Sequence, residues 1–379
     1  MSSGTRPQRP GSGAGGEVPP LPEEAYAVAL AATPSLGPAR LRDLLASQPP
    51  SAAWAAVTAE PRDSSVNVDM DVAGIWRRHV ELGIRVLVRG LPSYPSRLAA
   101  DPRAPAVLLC IGDPAVLDAG PTAALVGTRA PTRYGIGVAA QFGAELAAAG
   151  VSVVSGLALG IDGAAHEGAC GAGAPPIGVV AGGLDEPYPR HHARLWERVA
   201  AEGVIVSEWP AGVRTEKWRF PVRNKVLAAL SDVVVVVESR HRGGSRHTVE
   251  AALERGIPVG AVPGSVRSAT SEGTNALLAD GAFPVCSSSD VLVALSLRGA
   301  VLPAPAPPGA AEQPLHPRAP ASAPVGVERA VYEALSQDPA PLDMLARTTG
   351  LDLPVLCGCL ERLAQQGLAR DVGGWWERG

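Results

Sequence analysis

The chain has 379 residues, 46% hydrophobic and 18% charged, with a formal net charge of −4. That length exceeds an ordinary single domain, so two or three compact units are expected. The charge rules out a uniformly basic nucleic-acid coat but leaves a local basic groove open, and no apolar run approaches the roughly 18 residues that span a bilayer.

Residues 1–20 are rich in Gly, Pro and Ser and lack the apolar centre of a secretory signal; a disordered tail is expected there. The five cysteines (Cys110, Cys170, Cys286, Cys357, Cys359) contain no CxxC pair. Free thiols in a reducing compartment fit that spacing, and no metal site is expected. A soluble cytoplasmic protein is the expectation.

A small helical domain is expected over residues 21–82. Its helices are Glu23–Ala32 and Ala39–Ala46, joined by TPSLGP, and a third from Val72 to Leu82. The turn partly matches a helix-hairpin-helix module, in which Leu-Gly-Pro presents N–H groups to phosphate; a plain helical hairpin is the simpler reading. Ile84–Val88 and Ala106–Ile111 read as strands at the start of a domain spanning 83–298.

From Ala123 the alternation becomes regular. Strands are expected at 123–126, 151–155, 177–181, 203–206, 232–237, 258–262 and 283–286, with helices at 136–149, 161–171, 191–201, 221–230, 246–255 and 274–280. Strand and helix in strict turn predict an α/β, doubly wound, Rossmann-like parallel sheet covered on both faces. The valines from Val233 to Val237 suit a central strand. Residues 299–324, with eight prolines, read as an extended linker. Over 325–379, helices Val327–Ser336, Leu342–Thr349 and Leu353–Gln366 and a terminal hairpin outline a winged helix. Its third helix carries Arg362 beside Glu361, so protein contact is as open as DNA reading.

Ligands of a parallel sheet collect at the carboxyl ends of its strands. The first such exit, AALVGTRAPTRYGIG (Ala123–Gly137), is a strand, a turn with Gly127, Thr128, Arg129, Arg133 and Gly135, and a helix expected from Ile136. A helix start gathers free N–H groups and the positive end of the dipole, so two arginines there call for an anion between them. FPVRNK (Phe220–Lys225) repeats the violation: Arg223 and Lys225 fall in the first two turns of a helix, each at a cost of about 0.3–1 kcal/mol. Two such starts on one sheet edge favour a polyanion lying across it. Tyr188, Trp209, Trp218 and Phe220 bring aromatics to that edge, with Trp209 expected in the core. Cations interleaved with rings suit single-stranded nucleic acid.

Enzyme signals are weaker. Neither G-x-x-x-x-G-K-[ST] nor a G-x-G-x-x-G turn occurs at these exits. Asp162 and His166 share a helix face without a third partner, and Asp162 is expected to cap its own helix. GGSRHTVEA (Gly243–Ala251) shares part of the loop of nucleotide phosphoribohydrolases related to lysine decarboxylase, which offers an alternative function through Glu250 and Arg246. No catalytic residue, metal or cofactor is otherwise expected.

Taken together, the central motifs resemble the DprA/Smf family, DNA-processing protein A. They are VGTR (Val126–Arg129), YG (Tyr134, Gly135), SGLALGIDGAAH (Ser155–His166), GGLDEPYP (Gly182–Pro189), SE (Ser207, Glu208), FPVRNK, PG (Pro263, Gly264) and GTN (Gly273–Asn275). The resemblance implies a non-enzymatic protein that binds single-stranded DNA in a basic pocket, forms a homodimer and loads RecA onto incoming DNA in natural transformation. It further implies a helical SAM-like domain before the core and a winged helix after it. Carried over, Arg129 and Arg223 grip phosphates, Gly127, Thr128, Ser155, Gly156, Asn224 and Lys225 line the pocket, and Phe220 stacks. Two departures stand out. Lys225 replaces an arginine, and Gly244–Thr248 reads GSRHT where the family has G-S-L-x-T, which leaves that loop's role open.

Overall fold

The computed structural model describes residues 20–59, 70–301, 324–336, 339–372 and 375–378. Apart from their edges, the expected tail and proline-rich linker lie outside these residues, as does the Gly-Gly turn of the terminal hairpin.

The described residues begin with four helices: α1 (Glu23–Ala32), α2 (Pro38–Ser47), α3 (Pro50–Ala59) and α4 (Val72–Glu81). Sequence reading missed α3. Its start is set by a residue of another helix, because the Glu23 carboxylate accepts from Ser51 N–H at 2.8 Å and from Ser51 Oγ at 2.6 Å.

Next come β1 (Arg85–Val88), α5 (Ser96–Ala99), β2 (Val107–Gly112), β3 (Thr122–Val126), α6 (Arg133–Ala148), β4 (Ser152–Ser155), α7 (Ile161–Ala169) and β5 (Ile177–Val180). The core continues through α8 (Ala193–Glu202), β6 (Val204–Ser207), α9 (Arg219–Ala229), β7 (Val233–Val236), α10 (Arg246–Leu253), β8 (Val259–Ala261), α11 (Glu272–Ala279), β9 (Phe283–Pro284) and α12 (Ser288–Leu297). The nine strands form one sheet in the order β1-β2-β6-β5-β4-β3-β7-β8-β9.

From β6 to β9 every pairing is parallel. The two strands before Ala123 extend one edge in the other sense: β2 runs antiparallel to β6 and β1 antiparallel to β2. A parallel neighbour needs a crossover of a dozen or more residues, usually a full helix; between β1 and β2 the chain forms only the single turn of α5. The two outer strands turn their apolar side chains to a core shared with α1 and α2, where Val86, Val88 and Leu109 meet Val28, Leu30 and Leu41.

Two helix starts are fixed by side-chain caps that periodicity did not reveal. Helix α6 begins at Arg133 rather than Ile136, because Thr132 Oγ1 accepts the Gly135 N–H at 3.1 Å and caps it there. Helix α12, unexpected from periodicity, is set by a reciprocal capping box of Ser287 and Asp290. Successive strands run outward from β3 to β6 and from β7 to β9, so the order reverses between β3 and β7, beside which a doubly wound sheet binds its ligands.

The last unit contains α13 (Val327–Ala334), β10 (Ala340–Pro341), α14 (Leu342–Thr349), α15 (Leu353–Gln365), β11 (Ala369–Val372) and β12 (Trp375–Arg378), with sheet order β10-β12-β11. Val331, Leu345, Leu356, Leu360 and Leu363 make its own core. Among the described residues, no helix is long and apolar enough to cross a membrane, and no cluster of side chains could hold a metal ion.

Candidate nucleic-acid interface

The anion that the α6 start requires is supplied by the chain itself. Glu238, just past β7 and 3% exposed, accepts from Thr132 N–H at 2.8 Å and from Thr132 Oγ1 at 2.6 Å. Thr270 Oγ1 adds a bond at 3.3 Å, and the Glu238 carbonyl accepts from Thr128 N–H at 2.8 Å. A Cβ at Gly135 would collide with this carboxylate. The helix start is therefore not an open anion site, which corrects the expectation for Arg129 and Arg133. Glu238 instead ties the turn between β3 and α6 to β7, and Arg129 and Arg133 are exposed.

Arg129 leans toward the start of α9, its guanidinium 4.2 Å from the centre of the Phe220 ring. Tyr188 meets Phe220 with ring centroids 6.2 Å apart. These side chains wall a cleft of about 480 Å³ over the carboxyl ends of β4 and β5, whose lining includes Gly156, Gly182, Gly183 and Arg223. Arg223 is 4% exposed. Its Nη1 donates to the Val179 carbonyl at 2.6 Å, while its Nε is buried without a partner. Burial lowers its pKa to about 10, opposed by Asp162, so it is a cation at neutral pH.

Asp162 does not cap its own helix, since the α7 N-cap, Gly160, has no side-chain bond. Its carboxylate instead accepts the Gly156 N–H at 3.1 Å and fixes the loop after β4. Burial pushes the Asp162 carboxyl up, against the pull of Arg223 and Arg129. His166 is fully buried, and burial lowers its pKa to about 4; Nε2 lies 3.2 Å from the Ile177 carbonyl. It is a neutral core group, not half of a dyad. A Cβ at Gly156 would take the place of the Arg223 guanidinium, so glycine there leaves that side chain its seat. Leu157 follows with φ 53, a conformation costly for a branched residue; its carbonyl is anchored 3.0 Å from His192 Nδ1.

Of the nine residues singled out in the sequence, Arg129, Gly156, Phe220 and Arg223 line the cleft. Gly127, Thr128 and Ser155 lie behind it as support: the Ser155 hydroxyl is buried and donates to the Leu125 carbonyl at 2.6 Å. Asn224 donates to the Gly244 carbonyl at 3.4 Å. Lys225 is exposed and two residues on from Arg223, hence on another side of the helix. There it and Arg42 oppose the burial that pushes the Glu208 carboxyl up to about 7. The supports Glu238 and His192 and the lining residue Thr215 were missed, since they meet the loops only across long sequence distances. Arg246 and Glu250, the alternative catalytic pair, bond to each other at 2.9 Å on the exposed side of α10, and neither lines the cleft.

Comparison with known proteins agrees with this architecture. The family model described as DNA recombination-mediator protein A matches residues 85–296, and that of the DprA winged helix domain matches residues 311–374. The chain is 42% identical over 275 residues to the putative DNA processing protein DprA of Mycobacterium tuberculosis, covering 72% of this chain and 68% of that relative. It is 38% identical over 218 residues to DprA of Bacillus subtilis, covering 58% and 73%. Among solved structures, DprA from Streptococcus pneumoniae aligns with a TM-score of 0.56 at 30% identity, over 68% of this chain and 87% of that one. DNA processing protein A from Helicobacter pylori, whose structure describes a single-stranded DNA binding mode, aligns at 0.51 and 30% identity over 57% and 97%. With a recombination-mediator core and a DprA winged helix in the same order, the chain belongs to the DprA/Smf family of DNA-processing proteins.

Proposed function

We propose that this protein binds single-stranded DNA in the cleft over β4 and β5 and, as a homodimer, hands it to RecA recombinase during natural transformation, without catalysing a reaction on it. The reading includes the division into a helical domain to residue 82, a core over 83–298 and a winged helix from 325, and a cytoplasmic location beside RecA.

One observation carries it. Arg223 is a buried cation at the floor of an aromatic cleft, with an unpartnered Nε and no carboxylate within ion-pair distance among the described residues. Asp162 eases this buried charge from beyond ion-pair distance, but a buried cation still gains from a close partner, and a phosphate oxygen entering the cleft supplies both the charge and the acceptor. Arg129 at the mouth adds a second cation. Phe220 and Tyr188 offer ring faces to bases that only a single strand leaves free. Gly127, Thr128 and Ser155 hold the floor in shape, and Asn224 and Lys225 border the outer side of α9. Fluorescence anisotropy with labelled oligo-dT and with a duplex of equal length tests the reading. Binding should favour the single strand, and its logarithm should fall against log salt by about 0.7 per phosphate contact. Equal affinity for both, or no salt dependence, overturns it.

A further inference from the structure

We propose that the Trp218 indole is a second base-stacking platform, placed over the carboxyl end of β6, so that a bound single strand leaves the cleft toward β6 rather than toward β7. This rests on the single-stranded DNA reading above and gives the strand a direction.

Trp218 does not line the cleft. It stands edge-on to Trp209, with ring centroids 5.3 Å apart and planes at 84°, and Trp209 leaves β6 two residues after Ser207. Trp209 is 8% exposed, whereas Trp218 is 51% exposed. The exposed ring is nonetheless held. Its Nε1 donates to Glu216 Oε2 at 2.8 Å, and the Arg219 guanidinium lies 4.6 Å from its ring centre and 4.1 Å from that of Trp209. Arg219 is fixed in turn by Glu216 Oε1 at 3.2 Å.

A large apolar ring on the surface loses hydrophobic free energy unless something covers it. Arg219 and Trp209 cover part of this ring, and about half of the residue faces solvent. Because a hydrogen bond and a cation–π contact already fix its orientation, stacking a flat ligand costs little further rotamer entropy. Glu216 repels phosphates from the indole edge, so the ring suits a base rather than the backbone, while exposed Arg214 and Lys217 flank it for the phosphates. Trp218, Arg219 and Phe220 are consecutive, so one short segment carries a platform on each side: Phe220 inside the cleft and Trp218 beyond it. The competing exit, over β7, offers exposed Arg240 and Arg242 and a ring, Tyr134 on the first turn of α6, that is less exposed than Trp218, at 43%.

The test is anisotropy with the full chain and oligo-dT of increasing length at fixed salt, comparing Trp218→Ala, Trp218→Phe and the double variant Arg240→Ala, Arg242→Ala. On oligonucleotides longer than the cleft, Trp218→Ala should lose about 5- to 100-fold in affinity. The shortest ones should bind as to the unaltered protein, the salt slope should hold, and Trp218→Phe should recover most of the loss. Photocrosslinking of 5-iododeoxyuridine should label Trp218 in the unaltered protein, whatever the variants do to folding. Unchanged binding of Trp218→Ala at every length, equal loss at every length, or a length-dependent loss confined to the Arg240/Arg242 variant overturns the proposal. If the unaltered protein fails to bind single strands at all, the underlying functional reading fails instead.

Discussion

The sheet edge and the winged helix both carry arginines, but the sheet edge pairs only some of its own, Arg219 with Glu216 and Arg246 with Glu250, and leaves others without a carboxylate. In the winged helix, Arg329 pairs with Glu333 at 2.7 Å, Arg347 with Asp343 at 3.5 Å and Arg362 with Glu328. At the sheet edge, Arg129 rests on a phenyl ring, Arg223 is buried without a carboxylate, and Arg133, Arg240 and Arg242 have no ion pair among the described residues. An exposed pair contributes little to stability, yet it must open before its arginine can serve a phosphate. An unpaired cation has no such cost. Affinity for a nucleic-acid backbone should therefore reside at the sheet edge. The winged helix, with Met344, Leu353, Val355 and Trp375 about half exposed, presents apolar side chains instead.

The sharpest way to break this contrast is to remove the unpaired cations. Arg129→Ala with Arg223→Lys keeps a charge on the cleft floor but loses its planar fork and its partner at the mouth. Each charged hydrogen bond contributes about 1.5–3 kcal/mol, so affinity for oligo-dT should fall about 100-fold or more, with thermal melting confirming the fold. A loss under tenfold would place the affinity elsewhere. Next in size, deleting residues 325–379 should change oligo-dT affinity by less than about threefold, since the paired arginines contribute little. A tenfold loss in the same titration would make the winged helix part of the single-strand site.

The legibility of the chain divides along similar lines. Central strands such as β3 and β7 were readable because burial on both faces demands continuous apolar runs, Arg129 and Arg223 because they put cations at helix starts, and Phe220 because rings are few in this chain. Glu238 was not readable as the anion of the α6 start, because it stands 106 residues from Thr132 and only the parallel pairing of β3 with β7 brings them together. Ser155 and Lys225 have the right chemistry for a binding loop, but helix phase and strand direction turn them elsewhere. Helix α3 had no local cap to announce it. Helix α12 did: Ser287 and Asp290 were a visible signal that periodicity alone passed over.

A third effect separates the two regions by pH. Every described histidine lies outside the winged helix, and the most buried is His166, whose pKa burial lowers to about 4. A histidine whose folded pKa lies below its unfolded value of about 6.5 contributes fully above pH 6.5 and loses that contribution as the pH falls toward 4. Glu208, raised to about 7, acts with the opposite sign: its contribution is present in acid and lost as the pH rises through 7. The wild-type pH profile therefore mixes the two, and a variant must isolate one. His166→Gln can retain a donor to the Ile177 carbonyl while removing the titration. Between pH 7 and pH 5 its core transition in urea should shift less than that of wild type, by about 2 kcal/mol. The winged-helix transition should not differ between the two proteins. An identical pH dependence of the core transition would mean that His166 exchanges protons with solvent in the folded state, and the floor beneath the cleft would then be open rather than sealed.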